Sequence, residues 1–318
     1  MPPAPSWAGR HVVVTGAGGF IGSHLVDLLT ELGAEVTAFV RYNSRNERGL
    51  LELRGFDREL RVKCGDITEL DTVRSLVQEA EVVFHLAALV GIPYSYIHPS
   101  EVVDVNTIGT LNILIAAREH KLEKVVLTST SEVYGSARFT PMGEDHPRQP
   151  QSPYSASKIA ADALATSFHR SFDLPVAIAR PFNTYGPRQS DRAIIPTVIS
   201  QALSGAEEIV LGNLAPRRDL TFVRDTVHGL VLAAEGDASI GELAEKIVGL
   251  LGRDIPVRQS DERVRPASSE VDELVADTSK ARALLGWEPE VSLNDGLLQT
   301  IEWVRANPRL YDPAVYRI

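Results

Sequence analysis

Short runs of apolar, often β-branched residues alternate with longer amphipathic segments through the first 180 residues of the chain. The short runs predict strands, and the segments with apolar positions every three or four residues predict helices. Strands that alternate with helices pair in parallel through right-handed crossovers, so we expect an α/β fold with a doubly wound parallel sheet. The predicted strands are 12–15, 36–40, 61–64, 82–86, 124–128 and 176–180, and the predicted helices are 23–32, 70–79, 105–120 and 154–172.

The pattern becomes less regular and richer in proline after Arg180. We therefore expect two domains: residues 1–180 form the doubly wound domain, and residues 181–318 form a smaller C-terminal α/β lobe with some segments that return to the first domain. Ranges 45–55 and 139–153 are predicted to be long loops. Ligands of such sheets bind at the carboxyl ends of the strands, so the lobe is expected to bind a substrate there.

A glycine-rich turn follows the first predicted strand. Gly16, Gly19 and Gly22 form a GxxGxxG motif with Phe20 and Ile21 inside it, and a helical pattern follows. Without a Cβ, these positions allow a tight turn and a close approach of backbone N–H groups to a pyrophosphate at the helix N-terminus. The strand, turn and helix together predict a dinucleotide-binding site.

The end of the second predicted strand bears on which dinucleotide binds. An acidic residue about 20 positions after the glycines would accept the 2′-hydroxyl of NAD, but Val40 and Arg41 occupy that place. Arg41 and Arg45, with Asn43 and Ser44 between them, can bind a 2′-phosphate. This favours NADP, and NAD is the alternative, because both arginines can also be surface charges.

Asp66, followed by Ile67, comes directly after the third predicted strand. Its carboxylate can accept a hydrogen bond from the adenine amino group of the same dinucleotide. It can equally cap the next helix, because aspartate is common at helix N-caps. The sequence leaves both interpretations open.

Tyr154 and Lys158 lie four residues apart in a predicted helix. Side chains at that spacing share a face about 5–6 Å apart, so we expect the ammonium to lower the pKa of the phenol from its ordinary value of about 10. A phenolate near neutral pH can take a proton from a substrate hydroxyl. The pair also fits an amphipathic helix with a core tyrosine, but the preceding glycine motif favours redox chemistry.

The composition limits the class of protein. The chain has 318 residues, a net charge of −10 and a pI of about 5.4, and without a basic run this argues against a nucleic-acid partner. Cys64 is the single cysteine and the histidines are scattered, so neither a disulfide framework nor a metal site is expected. No long apolar stretch or signal-peptide pattern is present, so we expect a cytoplasmic protein with no membrane partner.

Several motifs together resemble a known family, the extended short-chain dehydrogenase/reductases that modify nucleotide sugars. The similarity covers nearly the whole chain, is closest to GDP-sugar 4,6-dehydratase-like members, and implies a Rossmann-type sheet with bound NAD(P). The motifs are GxxGxxG at 16–22, HLAA at 85–88, NTxGT at 106–110, STSEVYG at 129–135, YxxxK at 154–158, RPFNTYGP at 180–187 and RDLTFV at 218–223.

The residues after the fifth predicted strand indicate the reaction. Dehydratases of this family have a carboxylate where epimerases have small or neutral residues, and Glu132 occupies that place. Ser131 replaces the aspartate that precedes it in the dTDP-glucose type. The resemblance thus implies a nucleotide-sugar 4,6-dehydratase, a lyase that makes a 4-keto-6-deoxy sugar. UDP-glucuronate decarboxylase and nucleotide-sugar 4-epimerase are alternatives on the same scaffold, and a non-catalytic dinucleotide-binding sensor is the alternative from another class.

The resemblance also implies a role for each residue of the site. Tyr154, polarised by Lys158, would take the proton of the 4-hydroxyl while Thr130 hydrogen-bonds the same oxygen and hydride moves from C4 to the nicotinamide. Glu132 would then remove the C5 proton and protonate the leaving 6-hydroxyl, directly or through Ser131 or a water, before hydride returns to C6 and a proton adds at C5. Glu132 can alternatively be a structural residue bonded to loop backbone.

Further residues are implied by the same resemblance. Each arginine among them can also belong to a surface ion pair. The resemblance further implies a homodimer whose interface is formed by the helices that contain 112–117 and 160–168. Alternatively, the apolar faces of these helices pack on the protein's own core. Only residues 235–238 stand where the family normally has a longer insert. Either the small lobe is trimmed or the sequence omits a mobile segment, and both alternatives put the substrate lid in doubt. The implied cofactor contacts are Leu86, Ala87 and Ala88, and the implied contacts to the nucleotide sugar are Asn183, Arg188, Arg218 and Arg265.

Overall fold

The chain divides into two compact units. The computed structural model describes residues 7–53, 60–230, 237–239, 257–259, 273–285 and 289–311. Within these ranges, the first unit contains the residues up to Val133 and Ser152–Arg180, and the second contains Tyr134–Gln151 and the residues from Pro181 onward.

The segment Tyr134–Gln151 was expected in the first domain and belongs to the second unit. Backbone hydrogen bonds explain this difference. The N–H of Met142 donates to the carbonyl oxygen of Val275 over 2.7 Å, and the N–H of Asp277 donates to that of Met142 over 3.1 Å. These pairings join residues far apart in the sequence, so local patterns could not indicate them.

A six-stranded parallel sheet forms the centre of the first unit. Its spatial order is β3-β2-β1-β4-β5-β6, which confirms the predicted doubly wound, Rossmann-type fold. Most of the strands are apolar runs because both faces of a parallel sheet are covered. Four of the five residues of β1 are buried, whereas the edge strand β3 contains no buried residue. The strands are β1 His11–Thr15, β2 Glu35–Arg41, β3 Arg61–Gly65, β4 Val82–His85, β5 Lys124–Thr128 and β6 Val176–Ala179.

Helices connect these strands and pack on them. None of the helices in the described part of the chain is long and apolar enough to cross a membrane. Side chains of β1, β4 and β5 form one core with apolar residues of α2, α5 and α6. The helices are α1 Phe20–Glu31, α2 Leu70–Val77, α3 Ile92–Ile97, α4 Pro99–Val103, α5 Gly109–Glu119 and α6 Pro153–Phe172.

The second unit contains mostly short strands and four α-helices within the described residues. In it, β9 pairs with β7 and β12 in parallel and with β10 in antiparallel orientation, and β8 pairs with β11. Its strands are β7 Asn183–Tyr185, β8 Ile209–Leu211, β9 Arg217–Phe222, β10 Asp237–Ser239, β11 Val257–Gln259 and β12 Glu273–Leu274, and its helices are α7 Ile194–Ser204, α8 Val223–Leu230, α9 Ser279–Leu285 and α10 Leu293–Ala306.

Three local features differ from the expectations, and the first is that α3 and α4 lie where no helix was predicted. The helix predicted at 105–120 begins as a π-helical turn, Asp104–Ile108, before α5. The range predicted as a loop from residue 45 contains a 3₁₀ helix, Gly49–Leu53, which is held in place because the N–H of Leu50 donates to the carbonyl oxygen of Gly18 over 2.9 Å.

The turn before α1 generates a stability prediction. A Cβ at Gly22 would overlap the carbonyl oxygen of Gly16, whereas a Cβ at Gly19 would lie 3.2 Å from the same oxygen. Gly22→Ala should therefore lower the free energy of unfolding by about 1–3 kcal/mol, the usual cost of overpacking, even though alanine's helix propensity offsets up to about 1 kcal/mol. The midpoint of urea unfolding measures this loss.

Gly19→Ala is the matched control, and it should cost much less than Gly22→Ala. Equal midpoints for Gly22→Ala and the native protein would contradict the inferred close packing.

Candidate active site

The glycine-rich turn lies between β1 and α1, where the sequence predicted it. Gly16 has a positive φ of 67°, and a Cβ on it would lie 2.8 Å from the backbone nitrogen of Ala87. Phe20 and Ile21 follow Gly19 in the first turn of α1, where backbone N–H groups have no acceptor within the helix. A turn without side chains beside a helix N-terminus fits the pyrophosphate of a dinucleotide.

The residues after β2 form an ordered surface loop. The side-chain oxygen of Asn43 accepts the N–H groups of Arg45 and Glu47 over 3.1 and 3.0 Å. The guanidinium of Arg41 lies 3.6 Å from a carboxylate oxygen of Glu101, and that of Arg45 lies 3.5 Å from one of Glu47. Both arginines are largely exposed and can bind an anion, but each already has an acidic neighbour.

Asp66 forms a turn after β3. Its Oδ1 accepts the N–H and the hydroxyl of Thr68 over 2.9 and 2.7 Å, and the hydrogen bond from the backbone N–H is the main reason why the pKa of Asp66 is lowered. The side-chain amide of Asn112 donates to the carbonyl oxygens of Ile67 and Thr68 over 3.1 and 2.8 Å. The turn is therefore fixed in place, and the contact of Asp66 with adenine stays a prediction.

A buried polar network joins the carboxyl ends of β1 and β4. The hydroxyl oxygen of Thr15 accepts the N–H groups of Leu86 and Ala87, each over 3.1 Å, so its own proton points to Nδ1 of His85, 2.8 Å away. Nε2 of His85 then carries the ring proton and donates it to the hydroxyl of Thr110 over 3.1 Å. Burial lowers the pKa of His85 to about 3, which keeps the imidazole neutral.

Asn106, in the π-helical turn, ties the backbone after β4 to α6. Its side-chain amide accepts from the N–H of Leu89 over 2.8 Å and donates to the carbonyl oxygen of Leu89 over 3.0 Å. It also donates to the hydroxyl of Ser157 over 3.0 Å, and Ser157 lies between Tyr154 and Lys158. Sequence reasoning assigned Asn106 no role, because its partners lie 17 and 51 residues away.

Tyr154 is buried beside the residues that follow β5. A hydrogen bond with the Thr130 side chain favours the phenolate of Tyr154, and the charge of Glu132 disfavours it. The hydroxyl oxygen of Thr130 also accepts the N–H of Glu132 over 3.2 Å, and Ser131 between them is buried. The structure thus brings together the predicted tyrosine, threonine and glutamate.

Lys158 places a cation in the interior, one turn after Tyr154 on α6. Only 3% of the residue is exposed, and Nζ donates to the carbonyl oxygen of Thr128 over 2.8 Å. Burial lowers the pKa of Lys158 to about 8, while the charge of Asp162 acts in the opposite direction.

The expected lowering of the Tyr154 pKa is wrong for the protein alone. Burial is the largest cause and raises the pKa of Tyr154 to about 12, and the hydrogen bond with Thr130 offsets only part of this shift. The i,i+4 spacing indicated the neighbouring cation, but not the low polarity of the environment that both side chains share.

The predicted substrate residues of the second unit lie on or near β7 and β9. Asn183 is opposite Leu220 in the register of these strands. Its buried side-chain nitrogen has no hydrogen-bond partner within the described ranges. Arg218 is buried on β9, whereas the guanidinium carbon of Arg188 lies 5.9 Å from the centre of the Trp303 ring. Arg265 and residues 235–236 of the connection at 235–238 lie outside the described residues.

The two helices expected at a homodimer interface contribute many of their apolar residues to the core of the first unit. This agrees with the alternative that their stripes face the protein's own interior. A homodimer stays a prediction. The core residues from these helices are Ile113, Leu114, Ala116, Ala117, Ala161, Ala165 and Phe168.

Comparisons with known proteins point to one family. Residues 13–300 match the family model described as GDP-mannose 4,6 dehydratase. UDP-glucose 4-epimerase of Mycolicibacterium smegmatis is 34% identical over 311 residues, which are 92% of this chain and 98% of that protein. UDP-glucuronic acid decarboxylase 6 of Arabidopsis thaliana is 33% identical over 324 residues, which are 93% of this chain and 91% of that protein.

A solved structure extends the likeness to the whole fold. It is DesIV, a dTDP-glucose 4,6-dehydratase from Streptomyces venezuelae, with NAD and TYD bound. The TM-score is 0.85 at 29% identity, over 96% of this chain and 99% of that chain. These relatives include a dehydratase, a decarboxylase and an epimerase, so they define the family and not the individual reaction. The chain belongs to the GDP-mannose 4,6-dehydratase-like family of nucleotide-sugar-modifying enzymes, within the extended short-chain dehydrogenase/reductases.

Proposed function

We propose that the protein is a nucleotide-sugar 4,6-dehydratase that makes a 4-keto-6-deoxy sugar nucleotide. The observation that supports this most strongly is the position of Glu132, whose charge acts on the Tyr154 phenol. C4 and C5 of a hexose are bonded to each other. A phenol that reaches the 4-hydroxyl therefore places a neighbouring carboxylate within reach of the C5 proton.

The proposed cofactor is a nicotinamide dinucleotide, held by the backbone at Gly16, Gly19 and Gly22. Two features of the chain support it: the turn leaves no room for a Cβ at Gly16, and the helix N-terminus follows directly. When bound, the nicotinamide would accept a hydride from C4 of the sugar and later return it to C6. Leu86, Ala87 and Ala88 would line the same edge of the sheet.

NADP is proposed over NAD. Val40 stands where an acid would bind the ribose of NAD, and Arg41, Asn43, Ser44 and Arg45 offer two cations and two small polar groups for a 2′-phosphate. NAD is the rival, because Glu101 and Glu47 lie beside the two arginines and because the DesIV structure contains NAD.

Tyr154 would take the proton of the 4-hydroxyl, and Thr130 would hydrogen-bond the same oxygen. The raised pKa of Tyr154 makes the phenolate costly in the protein alone. The Lys158 ammonium, one helical turn away on α6, is proposed to offset part of this cost by its charge, since a nearby opposite charge favours ionisation. The function of Lys158 therefore requires that it remain protonated at the working pH.

Glu132 would take the C5 proton once C4 is a ketone, because a carbonyl makes the adjacent C–H acidic. Water then leaves across C5 and C6 when Glu132, directly or through Ser131 or a water, passes that proton to the leaving 6-hydroxyl. Return of hydride to C6 and addition of a proton at C5 would complete the product. In the second unit, the unpartnered nitrogen of Asn183 and the guanidinium groups of Arg188 and Arg218 are proposed to bind the diphosphate of the substrate.

The same oxidation at C4 would also serve UDP-glucuronate decarboxylation or 4-epimerisation, the reactions named for two relatives of the chain. Neither reaction needs a carboxylate to remove the C5 proton. A non-catalytic sensor is disfavoured, because such a protein has no need to bring Thr130, Tyr154 and Lys158 together. The role of Glu132 thus separates the proposed reaction from its rivals.

Replacing Tyr154 tests the general base. Tyr154→Phe keeps the ring that fills the buried space but has no proton to exchange, so turnover should fall by about 10²–10⁴-fold. Cofactor binding by calorimetry and the melting temperature should stay close to native values. Activity near the native rate would eliminate Tyr154 as the base.

Replacing Glu132 tests the elimination step. Glu132→Gln keeps the shape of the side chain without a base, so a 4-keto sugar that still carries its 6-hydroxyl should accumulate, and mass spectrometry after borodeuteride reduction detects it. The native enzyme in deuterated water should place deuterium at C5 of the product. Glu31→Gln, at the exposed end of α1, is the control and should behave as the native protein. Unchanged water loss in Glu132→Gln would assign Glu132 a structural role.

Replacing Arg41 tests cofactor choice. Calorimetry should find tighter binding of NADP than of NAD to the native protein, and Arg41→Ala should narrow the gap by about 1.5–3 kcal/mol, the usual contribution of a hydrogen bond to a charged group. Arg61→Ala is the matched control, because Arg61 is also an exposed arginine with an acidic partner. Arg61 lies at the amino end of β3, whereas Arg41 lies at the carboxyl end of β2. Tighter binding of NAD to the native protein would overturn the assignment.

A further inference from the structure

A buried ion pair lies one helical turn beyond Lys158. Asp162 follows Lys158 by four residues on α6, and its side chain is completely buried. Nε of Arg180, directly after β6, donates to Oδ2 of Asp162 over 2.9 Å. Asp162 therefore continues the helix face that carries Tyr154 and Lys158, since residues four apart are neighbours on a helix.

A purely structural connection between α6 and the end of β6 explains this pair poorly. Removing two charges from water is expensive, and apolar residues often connect such elements with equal or greater stability. In addition, Oδ1 of Asp162 is buried and has no hydrogen-bond partner within the described ranges. The carboxylate is thus engaged by Arg180 at one oxygen, while its other oxygen and its charge remain available to the cation one turn away.

We propose that Asp162 is a positioning residue that keeps the Lys158 ammonium charged in the protein interior, and that Arg180 moderates this effect. Burial removes the hydration that normally stabilises an ammonium. The Thr128 carbonyl oxygen replaces part of it with a dipole, and Asp162 adds a full negative charge on the same helix. Arg180 attracts the same carboxylate, so the extent to which Asp162 stabilises the Lys158 ammonium depends on the ion pair between Asp162 and Arg180.

The other titratable groups around Lys158 do not supply this support. His85, at the end of β4, is neutral because its pKa is lowered by burial and by the Lys158 charge. Tyr154 is neutral until it gives up its proton. Glu132, after β5, acts on Tyr154. Asp162 is the acidic group whose charge raises the pKa of Lys158 against the effect of burial.

The inference about the Lys158 charge stands by itself, and its consequence for catalysis rests on the proposed function. If the ammonium is needed to stabilise the Tyr154 phenolate, activity should fall as Lys158 loses its proton, near its pKa of about 8. Loss of the Asp162 charge disfavours the ammonium, so it should move this alkaline limit to lower pH.

The test is a titration of Lys158 by NMR in protein labelled with ¹³C at the lysine ε-carbon, with the Lys158 signal assigned by its absence in Lys158→Met. Asp162→Asn should lower the pKa of Lys158 by at least one unit, the lower end of the shift of about 1–3 units that a neighbouring charge produces. Arg180→Gln should raise it, because the full Asp162 charge then acts on Lys158. A pair that only connects α6 to the end of β6, without acting on Lys158, would leave the Lys158 pKa unchanged in both variants.

Asp71→Asn is the matched control, since Asp71 also pairs with an arginine but lies exposed on α2, and it should leave the Lys158 titration unchanged. If Asp162→Asn does not fold, the double variant Asp162→Asn with Arg180→Gln leaves no unpaired buried charge and should still lower the pKa of Lys158, by less than Asp162→Asn would. An unshifted Lys158 in Asp162→Asn or in the double variant would overturn the proposal, as would shifts of the same sign in the two single variants.

The titration needs no substrate, which separates this proposal from the proposed function. Opposite shifts of Lys158 without turnover of any sugar nucleotide would support the positioning role and count against the dehydratase. Turnover of a sugar nucleotide, with the alkaline limit of activity and the Lys158 pKa both unchanged in Asp162→Asn, would support the dehydratase and count against the positioning role.

Discussion

The proposed chemistry depends on keeping the Lys158 ammonium charged inside a parallel sheet domain. An isolated buried cation loses its hydration and tends to release its proton, and burial does lower the pKa of Lys158 to about 8. The backbone carbonyl of Thr128 and the carboxylate of Asp162 oppose that loss. Every proposed proton transfer at Tyr154 relies on this charge, because the phenol is itself buried and its pKa is raised.

The parallel sheet gathers the remaining groups at one edge. In a doubly wound fold, the carboxyl ends of neighbouring strands meet. Thr15 ends β1, His85 ends β4 and Thr130 comes shortly after β5, so these residues lie at one edge of the sheet in the first unit. The network of Thr15 and His85 fixes the backbone of residues 86–87, and the Asn106 amide ties the next residues to α6. These hydrogen bonds fix the turn after β4 and connect it to α6, the helix that carries Tyr154.

Much of this architecture could be predicted from local patterns. The six strands and four of the six helices of the first unit follow from apolar periodicity, whereas the short helices α3 and α4 were not predicted. The positions of Gly16, Tyr154 and Lys158 follow from short motifs with fixed spacing. Long-range pairing could not be predicted, as with Met142 and Val275 or Asn106 and Ser157. The direction of the Tyr154 pKa shift could not be predicted either. The spacing of Tyr154 and Lys158 indicated a lowered pKa of the phenol, but burial raises it. An acid at position 162, four residues after Lys158, was the one local signal of the buried pair.

The central functional claim is that oxidation at C4 leads to loss of water through Glu132. The most direct measurement incubates the purified protein and cofactor with a panel of UDP-, GDP-, dTDP- and CDP-linked glucose, mannose and N-acetylhexosamine, together with UDP-glucuronate, and determines product masses. We expect at least one hexose nucleotide to yield a product whose mass is lower than that of the substrate by one water. Loss of carbon dioxide from UDP-glucuronate as the only reaction, or conversion only to an epimer of unchanged mass, would contradict it.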